Sequence, residues 1–164
     1  MRIATIVGAA LLAGTQFAHA QDATFALRVM TPETALKAAQ AALKKCRDDN
    51  FQVAVAVVDR MGITQVMLRD RFAGPHTPDM AISKAWTAIS FRTNTSEFAE
   101  ATQAGRPQSG VRHRPGIAAV GGGMLVQGGG NLLGGIGVSG APGGKEDDVC
   151  AAAGIAAIEE SLAF

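Results

Sequence analysis

The chain has 164 residues, with 15 lysines and arginines against 14 aspartates and glutamates, and a formal net charge of +1 at pH 7. Only 5% of its residues are aromatic. Proteins that bind nucleic acid usually carry a basic patch, and helices that lie on a membrane surface usually carry a basic amphipathic stripe. A nearly neutral chain with few aromatic residues indicates neither class of partner.

The first twenty residues have the pattern of a signal peptide. Arg2 gives a basic start, residues 3–12 are small and apolar, and Ala18-His19-Ala20 matches a cleavage signal. The sequence therefore predicts export to a periplasm or to the outside after cleavage following Ala20. A lead-in over residues 21–30 and one domain over residues 31–164 would follow. The apolar stretch is too short to span a bilayer, so no membrane insertion is expected.

Helices and strands alternate in a way that predicts an α+β domain. Thr31-Pro32-Glu33 suits a helix start, because threonine can cap, proline fits the first turn and glutamate favours the positive helix end. The valine-rich run 53–58 indicates a buried strand, and a turn at 59–62 leads into its return strand. The predicted helices cover residues 31–49, 79–91, 95–105 and 145–161. The predicted strands cover residues 53–58, 63–69, 117–120, 124–127 and 132–138. Short connections between strands predict an antiparallel five-stranded sheet with helices packed on it, of the profilin-like or PAS-like kind.

Glycines are dense in the last three predicted strands. Gly135 to Gly140 matches the G-x-G-x-x-G pattern of dinucleotide folds, but these glycines lie in a strand, and the next helix begins with carboxylates that would repel a pyrophosphate. Glycines within a strand indicate close approach by another backbone or by a flat ligand. Two interpretations stay open. One is tight turns with close packing of a partner subunit, and the other is a slot that accepts a planar macrocycle.

Few side chains are candidates for chemistry. His76 and His113 are the histidines that remain after the leader, too few for a zinc site with three protein ligands, and no histidine is paired with a serine by a local pattern. No catalytic constellation is therefore predicted. Arg112-His113-Arg114 is more suggestive, because arginine binds carboxylates in bidentate fashion and neutral imidazole ligates iron. A solvated basic loop is the alternative.

Three further residues have two interpretations each. Cys46 and Cys150 lie near opposite ends of the domain, and they either form a disulfide in an oxidising compartment or remain separate buried thiols. Lys84, on a predicted helix, either pairs with an acidic group or is exposed to solvent.

Five segments together resemble the GlcG/HbpS-like haem-binding family, also called the haem-degrading domain. They are Val57-Val58-Asp59-Arg60 with Gly62, Lys84 to Ala88, Thr95-Ser96-Glu97, Gly134 to Gly140, and Asp147-Asp148. The resemblance implies a homo-oligomer that binds haem or a related tetrapyrrole for storage, sensing or slow oxidative breakdown.

The resemblance also implies roles for particular residues. His113 and His76 are the candidate iron ligands, and Arg112, Arg114 and Lys84 are candidate contacts of the haem propionates. In one type of family member a threonine beside a Pro-Gly segment ligates the iron, whereas here Ile117 follows Pro115-Gly116. The alternative is a non-haem module that binds a small metabolite or a partner, accessory to an oxidation pathway such as glycolate utilisation.

Overall fold

The computed structural model describes residues 25–163. The predicted signal peptide and the beginning of the lead-in lie outside the described residues. Four α-helices, four strands and two short 3₁₀ segments make up the described part of the chain. The helices are α1 (Pro32–Asp48), α2 (Thr77–Phe91), α3 (Thr95–Ala101) and α4 (Gly144–Ala156). The strands are β1 (Ala54–Asp59), β2 (Thr64–Arg69), β3 (Gly123–Gly128) and β4 (Asn131–Ser139).

Local sequence signals set most of these boundaries. The Thr31 hydroxyl accepts from the Thr34 amide and caps α1, as predicted. Asp59 accepts from the amides of Met61 and Ile63 and so holds the turn between β1 and β2. Helix α2 begins two residues before the predicted start, because the Thr77 hydroxyl donates to the Gly74 carbonyl and closes the first turn there. Helix α4 ends at Ala156, and a 3₁₀ segment (Glu159–Leu162) follows it.

The sheet is antiparallel in the order β2-β1-β4-β3, with helices on both faces. The valines at positions 53, 55 and 57 belong to the large core under α1 and α4. Residues between them point to the opposite face, where Ala54 and Ala56 pack with Ala81 of α2. This alternation is the period-two pattern of a strand buried on both faces. Within residues 25–163, none of the helices combines the length and the apolar character needed to cross a bilayer.

The predicted fifth strand, Ile117 to Val120, does not form. The Ala118 amide donates to the Thr87 hydroxyl of α2 at 2.9 Å, so a side chain takes the hydrogen bond that a strand ladder would use. The chain then turns through Gly122, which has a φ of +111°, and joins the sheet only at Gly123. A short apolar run predicts a strand only when a neighbouring strand is available to pair with it, and here the helix intervenes.

The glycine-rich face of the sheet is covered by the chain's own helix. A Cβ added to Gly137 would overlap the carbonyl oxygen of Ala81, and it would lie 2.7 Å from the amide nitrogen of Ala85. On Gly135 it would lie 2.9 Å from the carbonyl oxygen of Ala85. The missing side chains therefore let α2 lie directly on β4. The predicted slot for a planar macrocycle over these strands is wrong, because α2 fills that space.

One covalent bond joins the two helices on the other face. Cys46 of α1 and Cys150 of α4 form a disulfide with a Cα–Cα distance of 5.5 Å. Of the two interpretations of the cysteines, the structure has the bonded one. Gly154 lets the same two helices pack closely, since a Cβ there would lie 2.7 Å from the carbonyl oxygen of Ala38.

Candidate ligand-binding cleft

A cleft of about 350 Å³ lies where the amino-terminal ends of α2 and α4 meet the end of β4. It contains two of the residues singled out from the sequence, His76 and Lys84. The loop that precedes β3 supplies one wall through Val120. The lining residues are Gly74, His76, Thr77, Met80, Lys84, Val120, Ser139, Gly140, Ala141, Gly143, Gly144 and Asp147.

A buried ion pair forms the inner wall of the cleft. The Lys84 ammonium lies 2.7 Å from Asp147 Oδ2 and also donates to the Val138 carbonyl at 2.9 Å. The two side chains are only 3% and 4% exposed. The other Asp147 oxygen accepts from the Ala141 amide. Burial raises the pKa of the Asp147 carboxyl above its ordinary value, because the loss of water disfavours the charged form more than Lys84 favours it.

The neighbouring Asp148 fixes the loop that forms the opposite wall. One oxygen accepts from the Gly122 amide at 2.5 Å, and the other accepts from the Ser96 hydroxyl of α3. A Cβ on Gly122 would lie 2.8 Å from the Lys84 ammonium nitrogen, so the glycine lets this loop approach the ion pair. Asp147 and Asp148 therefore tie α4 to α2, α3 and the loop before β3, and they give the cleft a fixed shape.

His76 lies at the mouth of the cleft. It is the N-cap residue of α2, makes no side-chain capping hydrogen bond and is exposed to solvent. Its imidazole packs over Gly74, where a Cβ would lie 2.7 Å from His76 Cε1. Met80, one turn further along α2, is 37% exposed, and Val120 across the cleft is 41% exposed. An imidazole, a thioether and an aliphatic side chain thus face solvent around one opening.

The other candidate residues lie elsewhere. Arg112 donates to the Ala99 carbonyl and the Thr102 hydroxyl, so its guanidinium joins the 3₁₀ segment Ser109–His113 to α3. His113 is exposed at the end of that segment. The Arg114 guanidinium lies 5.4 Å from the centre of the Trp86 ring, and the two side chains line a second cavity of about 230 Å³. The structure therefore brings together His76 and Lys84, but not the Arg112-His113-Arg114 run.

Sequence reasoning missed the partner of Lys84. The sequence indicated Asp147 only as one of the carboxylates at the start of the last helix, because 63 residues separate it from Lys84 and no local spacing links them. Among residues 25–163, no three His, Cys, Asp or Glu side chains lie close enough to hold a metal ion by themselves. The cleft can offer a single imidazole to a metal whose remaining ligands come from a bound molecule.

The fold and the cleft define a small α+β domain with an open, partly apolar site beside a buried ion pair. The chain belongs to the family described as Haem degrading protein HbpS-like, which matches residues 30–156. The structure is similar to that of a double mutant of HbpS from Streptomyces reticuli, with a TM-score of 0.76 and 37% identity, covering 94% of this chain and 97% of that one.

Two further similarities concern PduO proteins. PduOC in its complex with haem has a TM-score of 0.75 and 29% identity, covering 79% of this chain and 95% of that one. The corrinoid adenosyltransferase PduO of Citrobacter freundii is 34% identical over 121 residues, which are 73% of this chain. These residues span only 36% of that enzyme's length.

Proposed function

We propose that this protein binds haem in the cleft between α2 and α4, with His76 as a ligand of the iron. The observation that carries the proposal is an imidazole with no capping role at the mouth of a partly apolar cleft. Membership of the HbpS-like family and the likeness to PduOC in complex with haem support it. Neutral imidazole is a common ligand of haem iron.

The residues of the cleft fit one edge of such a ligand. Ligand cavities usually span about 300–1,000 Å³ and combine apolar walls with a few polar groups. At about 350 Å³ this cleft is at the small end of that range, so it would hold part of the ring and leave the rest outside. Gly74 provides the space in which the imidazole lies, and Met80 and Val120 supply apolar contacts. Bound haem would supply a redox-active iron centre.

The polar residues of the cleft have different roles in this proposal. Lys84 already uses two of its three N–H groups on Val138 and Asp147, so its main role is to hold the inner wall in place. The first turn of α4 already carries Glu146 and Asp147, which offset the positive end of the helix and would repel a carboxylate of the ligand. In this proposal His76 alone contacts the iron.

We further propose an exported homo-oligomer that serves in haem storage, sensing or slow breakdown. The signal-peptide pattern of residues 1–20 supports export. The disulfide between Cys46 and Cys150 supports an oxidising compartment. The small volume of the cleft supports a homo-oligomer, since a second subunit would cover the part of the haem ring that lies outside the cleft. Fractionation of cells that produce the full chain, and light scattering of the purified protein, test these two points.

Titration with hemin tests haem binding directly. We expect the Soret band of hemin to shift and sharpen on addition of the protein, and His76→Ala to abolish the change. His113→Ala is the matched control, because His113 is exposed in the 3₁₀ segment and does not line this cleft. If His113→Ala and not His76→Ala abolished the spectral change, the iron ligand would be assigned to the other imidazole. No change at micromolar hemin would leave the small-metabolite alternative.

A further inference from the structure

A separate cavity of about 290 Å³, with a largely polar lining, lies at the end of α2 opposite to the haem cleft. Two arginines face it from different elements. Arg60 comes from the turn after β1, and Arg92 is the C-cap residue of α2. Amide side chains and leucines complete the lining. The lining residues are Arg60, Arg92, Leu125, Gln127, Gly130, Asn131 and Leu132.

Within residues 25–163, neither guanidinium pairs with a carboxylate or donates a hydrogen bond to an oxygen. Several other arginines of the domain have acceptors in the described chain. Arg47 pairs with Asp70, and Arg112 donates to α3. The carboxylate nearest to Arg60 in sequence, that of Asp59, accepts instead from Met61, Ile63 and Gln65. Two cations thus share one cavity without an anion of the described chain to balance them.

The backbone at Arg92 adds a second observation. Arg92 has φ +52° and ψ +41°, which is the left-handed conformation. Helices that end this way usually place glycine or asparagine there, and other residues are strained by roughly 1–2 kcal/mol. From that position the Arg92 side chain lines the same cavity as Arg60. Strained residues of this kind are concentrated at binding and catalytic sites.

We propose that Arg60 and Arg92 form a binding site for a small anion with two or more oxygen atoms, a carboxylate or a phosphate group. A planar guanidinium donates two parallel hydrogen bonds to such a group, and two guanidinium groups can hold a dianion from two sides. Gln127 and Asn131 offer further amide donors at the rim. The volume admits an ion or an acid of a few carbon atoms, with Leu125 and Leu132 against any apolar part.

This site is separate from the proposed haem cleft. His76 and Arg92 are the two caps of α2, and 16 residues of helical rise place them about 24 Å apart. No single small ligand spans both cavities. The inference therefore goes beyond haem binding and can be tested without hemin.

Titration calorimetry of the full-length protein tests the site, with inorganic phosphate and malonate as separate probes in a low-salt buffer. We expect saturable binding of at least one probe and roughly tenfold weaker binding in each of Arg60→Gln and Arg92→Asn, since one charge-assisted hydrogen-bonding partner is worth about that much. Asparagine accepts the left-handed conformation, so Arg92→Asn should remain folded. Arg71→Gln is the matched control, because Arg71 is exposed and does not line the cavity.

The choice between the two probes identifies the oxygen-bearing group. The proposal is overturned if the unmodified protein binds neither probe. It is also overturned if Arg71→Gln weakens binding as much as the two cavity variants, because the attraction would then be diffuse. A loss of stability in Arg92→Asn with unchanged binding would assign Arg92 to the helix dipole alone and reject the site. Arg60 and Arg92 lie outside the His76 cleft, so hemin binding by these variants tests the haem proposal separately from the anion site.

Discussion

The Lys84 ammonium and the Asp147 carboxylate meet at 2.7 Å in the protein interior, although 63 residues separate them in the chain. Each side chain has lost nearly all of its water, and the attraction between them compensates only while both are present. This pair therefore couples α2 to the start of α4, and it stabilises the inner wall of the cleft.

Removing one member of the pair should be more harmful than removing both. We expect Lys84→Met and Asp147→Asn each to lower the free energy of unfolding by about 3–5 kcal/mol, because each leaves a buried group without its partner. The double variant Lys84→Met/Asp147→Leu should lose less than either single variant. Chemical denaturation measures all three.

The exposed pair Lys44–Asp48 offers a control for these variants. Its side chains are 73% and 54% exposed, so Lys44→Met should change the free energy of unfolding by less than about 1 kcal/mol. Additive losses in the Lys84/Asp147 double variant would contradict the coupling.

The Asp147 carboxyl makes the free energy of unfolding depend on pH in a defined direction. Its pKa in the folded protein is raised above the unfolded value of about 3.8. The folded protein therefore binds this proton more tightly than the unfolded chain does. Its contribution to the free energy of unfolding is fully present below pH 3.8 and is lost as pH rises through the folded pKa. The double variant Lys84→Met/Asp147→Leu lacks the Asp147 carboxyl and its partner. The free energy of unfolding of the unmodified protein minus that of the double variant should fall as pH rises through this window. A difference that rises instead would reverse the assigned direction.

Gly74→Ala should affect ligand binding more than folding. The added methyl would lie 2.7 Å from His76 Cε1, so the imidazole must rotate, whereas the backbone can stay in place. We expect weaker hemin binding with little change in the midpoint of thermal unfolding. Gly110→Ala is the control, since a Cβ there meets nothing within 4 Å. Unchanged hemin affinity in Gly74→Ala would show that the imidazole position does not matter for binding.

Gly137→Ala should destabilise the domain itself. The new methyl would overlap the Ala81 carbonyl, which belongs to the backbone of α2 and cannot rotate away. Overpacking of this kind typically lowers the free energy of unfolding by about 1–3 kcal/mol, and a backbone obstacle favours the upper end. Denaturant unfolding of Gly137→Ala beside Gly110→Ala measures the difference. Equal stability of the two variants would mean that α2 can move off the sheet.

The disulfide should contribute strongly to stability. Cys46 and Cys150 are 104 residues apart in the sequence, so the disulfide closes a long loop. Losing a native disulfide in a small domain lowers the free energy of unfolding by about 2–5 kcal/mol. We expect Cys46→Ala/Cys150→Ala to unfold at lower denaturant concentration, and reductant to bring the unmodified protein down to the same midpoint. A protein insensitive to reductant would contradict this contribution.

Local signals in the sequence were sufficient for most of the fold. Thr31 at the start of α1, the valine run of β1 and the Asp59 turn each act through neighbours a few residues away, so they could be read directly. The strand expected at Ile117 to Val120 failed because its outcome depends on Thr87, which is 31 residues distant and lies on a helix. Short apolar runs do not reveal whether a strand or a helix will lie beside them.

The candidate site was harder to predict for the same reason. His76 and Lys84 were recognised as candidates one by one, but their shared cleft is created by the ends of α2, β4 and α4. The glycines of β4 were read correctly as a sign of close approach, but the covering element is α2 and not a ligand or a partner subunit. Composition shows that a surface lacks side chains, whereas only the tertiary structure shows what covers it.

The helices on the two faces of the sheet are held in different ways. On one face a disulfide joins α1 to α4. On the other face α2 packs directly on glycines of β4, and its Lys84 pairs with Asp147. Residues at the start of α2 line the haem cleft, and its C-cap Arg92 lines the arginine cavity. A local opening of α2 away from the sheet would therefore change both cavities at once, and faster exchange of its amide protons would report such opening.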